Sequence, residues 1–449
     1  MLAEGSRFGY HPSTILFTRK DGQFMSENKP LEANVNTHSR PSELKITDMR
    51  ICNLKGLPMD ASIIRLDTNQ GVSGYGEVRD WASPSYALML KNRIIGENPC
   101  NIDKIFRKIK QFGYHARQGG GVCGIEMALF DLAGKAYGVP AYQLAGGKFR
   151  DSVLCYCDTD SVADGKQMGE RLKKRMERGF KFLKMDVGIR LLDGIPGTLS
   201  SPPGMLSTHD IMHPFTGIQI TEKGIEFLVE YVRQVREIIG YEVPLAVDHF
   251  GHINLESCIR LGRALDPFTL AWYEDMIPWQ FTDQYVRLSQ SVATPICTGE
   301  DIYLKEGFKP LLEARGVAVI HPDLATSGGI METKKIGDLA QEHGVAMAMH
   351  FAGSPISFLA NIHCAAATEN FYVLENHSVD LPWWDDLIDG ISKPLIVDGF
   401  APVPEAPGLG FGDINEAAFR ERMDSSRIGG YFEDSSFWDN ERSHDRLWS

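Results

Sequence analysis

Three acidic residues, Asp248, Glu274 and Glu300, recur at one interval along this 449-residue chain: 274−248 and 300−274 are both 26. Each closes a short apolar run: Pro-Leu-Ala-Val-Asp, Leu-Ala-Trp-Tyr-Glu and Pro-Ile-Cys-Thr-Gly-Glu. That interval fits one strand, one helix and two loops, which would set the three carboxylates at the C-terminal tips of successive parallel strands. Converging carboxylates repel one another unless a hard divalent cation lies between them. Their oxygen ligands suit Mg²⁺ and leave positions for water and substrate. Zinc fits less well, because no His or Cys cluster shares the spacing.

Similar residues close most of the other apolar runs. Lys184 and Asp186 end the second run, Asp323 the sixth, His350 the seventh and Glu375 the eighth. Any one of them, taken alone, is better read as a satisfied salt bridge or a solvated strand end. That reading does not account for their falling at the same end of successive strands. Asp323 beside His350 would hold the imidazole tautomer and raise its basicity, as a general base needs. Lys184 would place a cation beside a bound anion. Glu375, protonated by crowding from other carboxylates, would donate a hydrogen bond to a developing oxyanion. Together these groups suit removal of a proton α to a carboxylate, with the cation and Lys184 stabilising the resulting enediolate.

The elements that must position these residues follow from periodicity. After Arg150, short apolar strands near 153–157, 181–186, 244–248, 270–274, 295–299, 317–322, 345–350 and 371–375 alternate with amphipathic helices. Eight such strands predict a parallel (β/α)8-type barrel, whose strand ends share one mouth. An open doubly wound sheet lacks its usual support, since no Gly-rich phosphate fingerprint follows the first strand. Residues 45–150 read as an α+β unit: two strand runs around Asn-Gln-Gly, then mostly helices, with GIEMALFDLAGKAYG at helical spacing. The stretch 187–221, rich in Gly, Pro, Ser and His, interrupts the rhythm between the second strand and its helix. An insertion that long at a barrel mouth is expected to be a lid or an oligomer contact. The barrel is assigned to 151–395. Residues 396–449 are expected to return to the α+β unit. Residues 1–44 are polar, weakly patterned and read as an extension, disordered or partner-binding.

The quoted residues resemble the enolase superfamily, in particular its mandelate racemase subgroup. The resemblance runs over roughly residues 45–425 and rests on GIEMALFDLAGKAYGVPAYQLAGGKFRD, LKMD, AVDHFG, WYEDMIPW, CTGED, VIHPDLATSGGI and MAMHFAGSP. It implies a modified (β/α)7β barrel under a capping domain built from the N-terminal region and the C-terminal tail. It further implies Asp248, Glu274 and Glu300 as Mg²⁺ ligands, Asp323 and His350 as the His–Asp dyad, and Glu375 as the glutamate that hydrogen-bonds the enediolate. One departure narrows the chemistry. Racemases of the subgroup carry Lys-x-Lys on the second strand, and here the motif is Lys184-Met185-Asp186. A carboxylate near Mg²⁺ and Lys184 is a poor acid for reprotonating carbon, which disfavours two-base racemisation. Abstraction by His350 from one face, then loss of a β-hydroxyl, fits better. Superfamily members acting on sugar acids do this, so the resemblance implies a dehydratase converting a sugar acid, an aldonate or aldarate, to a 2-keto-3-deoxy acid. Asp186 would then bind a sugar hydroxyl, and His249 or His252 would reach the leaving group or the substrate. The rivals are an epimerase, racemase or cycloisomerase on a related carboxylate, and a non-catalytic sugar-acid-binding paralogue. α-Proton exchange without water loss would mark an epimerase, a product isomeric with the substrate a cycloisomerase, and tight binding without product the paralogue.

Composition sets the outer bounds. A hydrophobic fraction of 43% with 23% charged residues belongs to an ordinary soluble globular protein, and a net charge of −13 argues against nucleic acid or an anionic membrane as partner. Eight cysteines without a CxxC or regular spacing read as reduced thiols of a cytoplasmic protein. A small-molecule carboxylate is the expected partner, together with further copies of the chain in a homo-oligomer.

Overall fold

Alternation and turn chemistry build the first unit. The computed structural model describes residues 39–114, 120–202, 217–248 and 253–441. Strands β1 (Ile46–Leu54), β2 (Ala61–Thr68) and β3 (Ser73–Val78) form an antiparallel meander in that order. Helix α1 (Gly120–Tyr137) packs on it and buries every residue except Lys135 and Tyr137. A helix apolar on all sides needs cover on all sides, and α1 gets it between the meander and the barrel. The helix stops where Gly138 takes a positive φ of 70°, two residues before Pro140.

The barrel strands are β4 (Ser152–Cys157), β5 (Leu183–Asp186), β6 (Leu245–Asp248), β7 (Tyr273–Glu274), β8 (Ile296–Thr298), β9 (Val319–Ile320), β10 (Ala346–Met349) and β11 (Phe371–Asn376). They pair in parallel in sequence order, and β11 closes the ring on β4 through Leu374–Cys155, Glu375–Tyr156 and Asn376–Cys157. The first seven crossings each carry a helix: α2 (Gly165–Glu177), α3 (Glu222–Ile239), α4 (Leu255–Leu265), α5 (Thr282–Ser289), α6 (Leu304–Glu313), α7 (Gly329–Glu342) and α8 (Pro355–Ala367). After β11 the chain instead runs to β12 (Phe400–Pro402), which pairs antiparallel with β4. This is the expected closed (β/α)7β arrangement. Bridges from Leu54 to Met423 and from Cys52 to Tyr431 then lay the C-terminal segment against β1. In the inserted stretch, Leu199–Ser200 and Gln219–Ile220 form a short antiparallel ribbon.

Two carboxylates fasten the N-terminal unit to the barrel at helix starts. Glu126 of α1 accepts the backbone N–H groups of Ile330 (2.7 Å) and Met331 (2.9 Å) at the start of α7. Glu77 of β3 accepts the N–H of Ser354 (2.9 Å), the residue that caps α8. A carboxylate on the exposed N–H groups of a helix start is favoured by both hydrogen bonding and the helix dipole. The joint delivers the residue after β3, Arg79, into the barrel mouth.

Inside the barrel, Tyr156, Phe182, Ala246, Trp272, Cys297, Val319, Ala348 and Val373 form one buried layer. Side chains two residues apart on a strand share a face. Two residues beyond this layer stand Asp158, Lys184, Asp248, Glu274, His321, His350 and Glu375, so the aromatic and aliphatic layer is the floor of a charged one. Strand β8 breaks the pattern: two beyond Cys297 is Gly299, with φ 145°. A Cβ there would lie 2.7 Å from the Phe308 ring. Glu300 therefore enters the mouth one residue out of phase. No helix among the described residues is long and apolar enough to cross a membrane. All eight cysteines are free, and all but Cys100 are buried.

Candidate active site

Lys184 sits at the centre of the charged layer. Its Nζ lies 2.7 Å from Asp248 Oδ2, 2.9 Å from Glu375 Oε1 and 3.3 Å from Glu274 Oε1, and 5.9 Å from the centroid of the Tyr156 ring. Burial by itself would favour the neutral amine, but Asp248, Glu274 and Glu375 outweigh it and hold the ammonium well above its ordinary range. Glu274 is fixed from two further sides, by Trp272 Nε1 donating to Oε2 (2.8 Å) and by His321 Nδ1 at 2.5 Å from Oε1. Tyr156 Oη stands 2.9 Å from the other His321 nitrogen.

Asp248, Glu274 and Asp275 bring ligand oxygens within 4.8 Å of one another. This set has Asp275 where the spacing pointed to Glu300. Glu300 faces the same charges, since burial, Asp301, Asp248 and Glu274 all push its carboxyl up, to about 7, against the pull of Arg79. It also contacts Arg79 Nη2 and His350 Nε2, each at 3.4 Å. The Asp275 carboxyl is driven well above its usual range by burial and by Glu300, Glu274 and Asp248. Hard oxygen donors in mutual repulsion are the donor set a divalent cation would relieve, so the residues fit such an ion.

The expected dyad is assembled. His350 Nδ1 lies 2.6 Å from Asp323 Oδ2, across a bridge between the two backbones. That bond leaves Nε2 to face the mouth, 3.9 Å from Glu375 Oε2. Burial, reinforced by Arg79, His377 and His321, keeps the His350 imidazole neutral, well below its ordinary value. Asp323 also caps a short helix by accepting the N–H of Ala325 at 2.6 Å.

At two positions the surroundings differ from the sequence expectation. Glu375 is not a protonated donor: burial pushes its carboxyl up, but Lys184 and His377 override this and hold it ionised, well below the usual range. The sequence suggested crowding by carboxylates, whereas its nearest charges are cations. The sixth strand contributes His321 to the charged layer, and Asp323 stands one step beyond it. Asp186 ends β5 in register with Asp248, half-exposed, and accepts from Ser161 Oγ at 3.3 Å. His249 and His252 lie outside the described residues.

The family model of the mandelate racemase/muconate lactonizing enzyme N-terminal domain matches residues 38–146, and that of the enolase C-terminal domain-like unit matches 167–417. The chain belongs to the mandelate racemase/muconate lactonizing enzyme family of the enolase superfamily. It is 34% identical over 379 residues to a D-xylonate dehydratase of Haloferax volcanii, a match covering 81% of this chain and 87% of that protein. It is 27% identical to an arabinonate dehydratase of Saccharolobus solfataricus, over 82% of this chain and 92% of the relative. A mandelate racemase/muconate lactonizing enzyme-like protein from Rubrobacter xylanophilus superposes with a TM-score of 0.74 at 30% identity, covering 86% of this chain and 99% of that one.

Besides Asp275, four site residues of this family member escaped the sequence reading: Arg79, Asp158, His321 and His377. Arg79 is 1% exposed and donates to Asp323, with Nη1 also 3.0 Å from His350 Nδ1 and Nε 3.0 Å from Asp80. Burial opposes its charge, but Asp323, Asp80 and Glu300 hold it fully protonated. Each of the four stands one residue past a strand, as in Val78-Arg79, Cys157-Asp158, Ile320-His321 and Asn376-His377. Extending the period of two beyond each apolar run would have found the last three.

Proposed function

We propose that the chain is a Mg²⁺-dependent dehydratase that converts an aldonate or aldarate to its 2-keto-3-deoxy acid. The observation that carries this reading is the buried neutral His350, aligned by Asp323 and facing a mouth in which Lys184 is the central cation. Held by Asp248, Glu274 and Glu300, Mg²⁺ would anchor the substrate carboxylate and offset the charge that develops on it. His350 Nε2, its lone pair directed into the mouth, takes the α-proton. Lys184, kept charged by three carboxylates, donates to the carboxylate oxygen on which negative charge grows. Glu375 holds Lys184 in place and, being ionised, accepts hydrogen bonds there instead of donating them. Asp186, half-exposed at the rim, is placed to accept a bond from a substrate hydroxyl. The relatives' names, D-xylonate and arabinonate dehydratase, support the same class of substrate.

The test is a panel of aldonic and aldaric acids incubated with the Mg²⁺-loaded protein and assayed for 2-keto acid. Formation of a 2-keto-3-deoxy product from at least one acid is expected. Exchange of the α-proton for deuterium with an isomeric product and no loss of water would sink the dehydratase reading and favour an epimerase.

A further inference from the structure

Glu375 has a second imidazole beside it that the reaction above does not use. His377 stands two residues further along the strand that carries Glu375, so its side chain leaves from the same face one layer higher. Its Nε2 lies 3.4 Å from Glu375 Oε1, without the geometry of a hydrogen bond, and its Nδ1 lies 3.5 Å from Asp158 Oδ2. Asp158 follows β4, the strand next to β11 in the closed ring. His377 and Asp158 thus form an imidazole–carboxylate ion pair across the seam of the barrel, longer than the 2.6 Å hydrogen bond of His350 and Asp323 two strands away. The two rings are 5.7 Å apart between centroids, tilted by 56°, close enough to act on neighbouring carbons of one substrate.

We propose that His377, positioned by Asp158, is the general acid that protonates the departing β-hydroxyl. The proposal rests on the dehydratase reading. Its balance is as follows. His350 Nε2 accepts the proton from C2, and the C–H electron pair is held on the carboxylate system. That pair returns to form the C2–C3 double bond as the C3–O bond breaks. The proton from His377 joins the departing oxygen, so water leaves. The enol formed at C2 ketonises by releasing its hydroxyl proton to solvent and taking a proton at C3 from solvent; His350 releases the proton it took from C2 to solvent, and His377 regains one from solvent. No oxidant or reductant is needed. The surroundings of His377 agree with a proton-donating duty: burial and Lys184 oppose its protonation, but Glu375 and Asp158 override them and raise its pKa to about 9.

The experiment uses the full-length Mg²⁺ enzyme carrying His377→Gln and, separately, Asp158→Asn. In D₂O the His377→Gln enzyme is expected to keep exchanging the substrate α-proton while water loss falls by about 10²-fold or more. A 3-deoxy-3-fluoro analogue of the same acid, whose leaving group requires no proton, should lose fluoride within about tenfold of the wild-type rate. Asp158→Asn should move the alkaline limb of kcat/KM to lower pH, because the imidazolium loses one of its two carboxylates. Water loss at the wild-type rate in His377→Gln overturns the proposal. A parallel fall in exchange, dehydration and fluoride loss overturns it too, by assigning His377 a structural role. If the wild-type enzyme exchanges the α-proton but never releases water, the dehydratase reading fails first and His377 has no hydroxyl to protonate.

Discussion

His350 and His377 end neighbouring layers of neighbouring strands, share Glu375 as a contact, and live in opposite electrostatic surroundings. On the His350 side a guanidinium arrives from the N-terminal unit: Arg79 neutralises Asp323 and stands 3.0 Å from the imidazole. On the His377 side the ring looks at Asp158 and Glu375 directly, and the nearby cation, Lys184, is paired with the same Glu375 oxygen. Burial penalises the imidazolium in both places. The sign of the local charge then decides, leaving one ring neutral and the other charged. The difference teaches that the barrel alone does not set the state of the proposed base. A residue of the capping unit, carried in by β3, completes it.

The largest effect should come from removing the neutral ring. His350→Asn is expected to lower kcat/KM by about 10²–10⁴-fold and to abolish α-proton exchange, while calorimetric Mg²⁺ binding persists. Near-normal turnover would assign the base elsewhere. Next comes the cation that creates the asymmetry. Arg79→Ala leaves Asp323, Asp80 and Glu300 without their shared partner, and loss of one member of a buried charged group costs about 3–5 kcal/mol of stability. It should also let the His350 pKa rise. In the wild type the base stays deprotonated well below pH 6.5, and a bound cation lowers its pKa further. The acidic limb of kcat/KM therefore lies below neutrality. In Arg79→Ala that limb moves to higher pH. Thermal melts and pH–rate profiles of the same preparation read both effects. A large loss of stability with an unmoved limb would confine Arg79 to holding the units together.

Much of this was legible because a barrel repeats one physical rule. The interval of 26 residues located β6, β7 and β8, and all eight strand runs fall where the apolar segments do. Lys184, Asp248, Glu274, His350 and Glu375 were readable because each ends an apolar run in phase with the layer beneath. Arg79 was not, because its partner His350 lies 271 positions away and no local pattern links a strand end of one unit to the mouth of another. Glu375 was read with the wrong charge for a related reason: the sequence showed the carboxylates around it but not that Lys184 and His377 would lie nearer. The phase slip at Glu300 hangs on the backbone of Gly299.

A smaller effect is expected one layer below the mouth. Trp272 is fully buried and donates to Glu274 at 2.8 Å. Trp272→Phe keeps most of the ring but removes the donor. Loss of a group that orients a metal-binding carboxylate typically weakens metal affinity by about 10–100-fold. Titration calorimetry with Mg²⁺ should show a loss in that range with little change in melting temperature. Unchanged affinity would mean that His321 and Lys184 suffice to orient Glu274.

The smallest effect concerns stability against pH, and it tests the charge contrast without any substrate. The His377 pKa is raised on folding, to about 9. Its contribution to stability is therefore complete below the unfolded value near 6.5 and is lost as pH climbs from there through about 9. His350 has the opposite sign: its lowered pKa makes the folded state the weaker proton binder, so stability falls as pH drops below about 6.5. Urea unfolding in EDTA, measured between pH 5 and 10 for wild type and His377→Gln, separates the two. Between about 6.5 and 9 the wild type should lose stability faster than the variant, by no more than about 1.4 kcal/mol per pH unit, the limit for one proton. On the acid side the variant should lose less stability than the wild type, because His377 is one of the charges that lower the His350 pKa. Parallel curves on the alkaline side would show that His377 is not held charged and would remove the contrast between the two imidazoles.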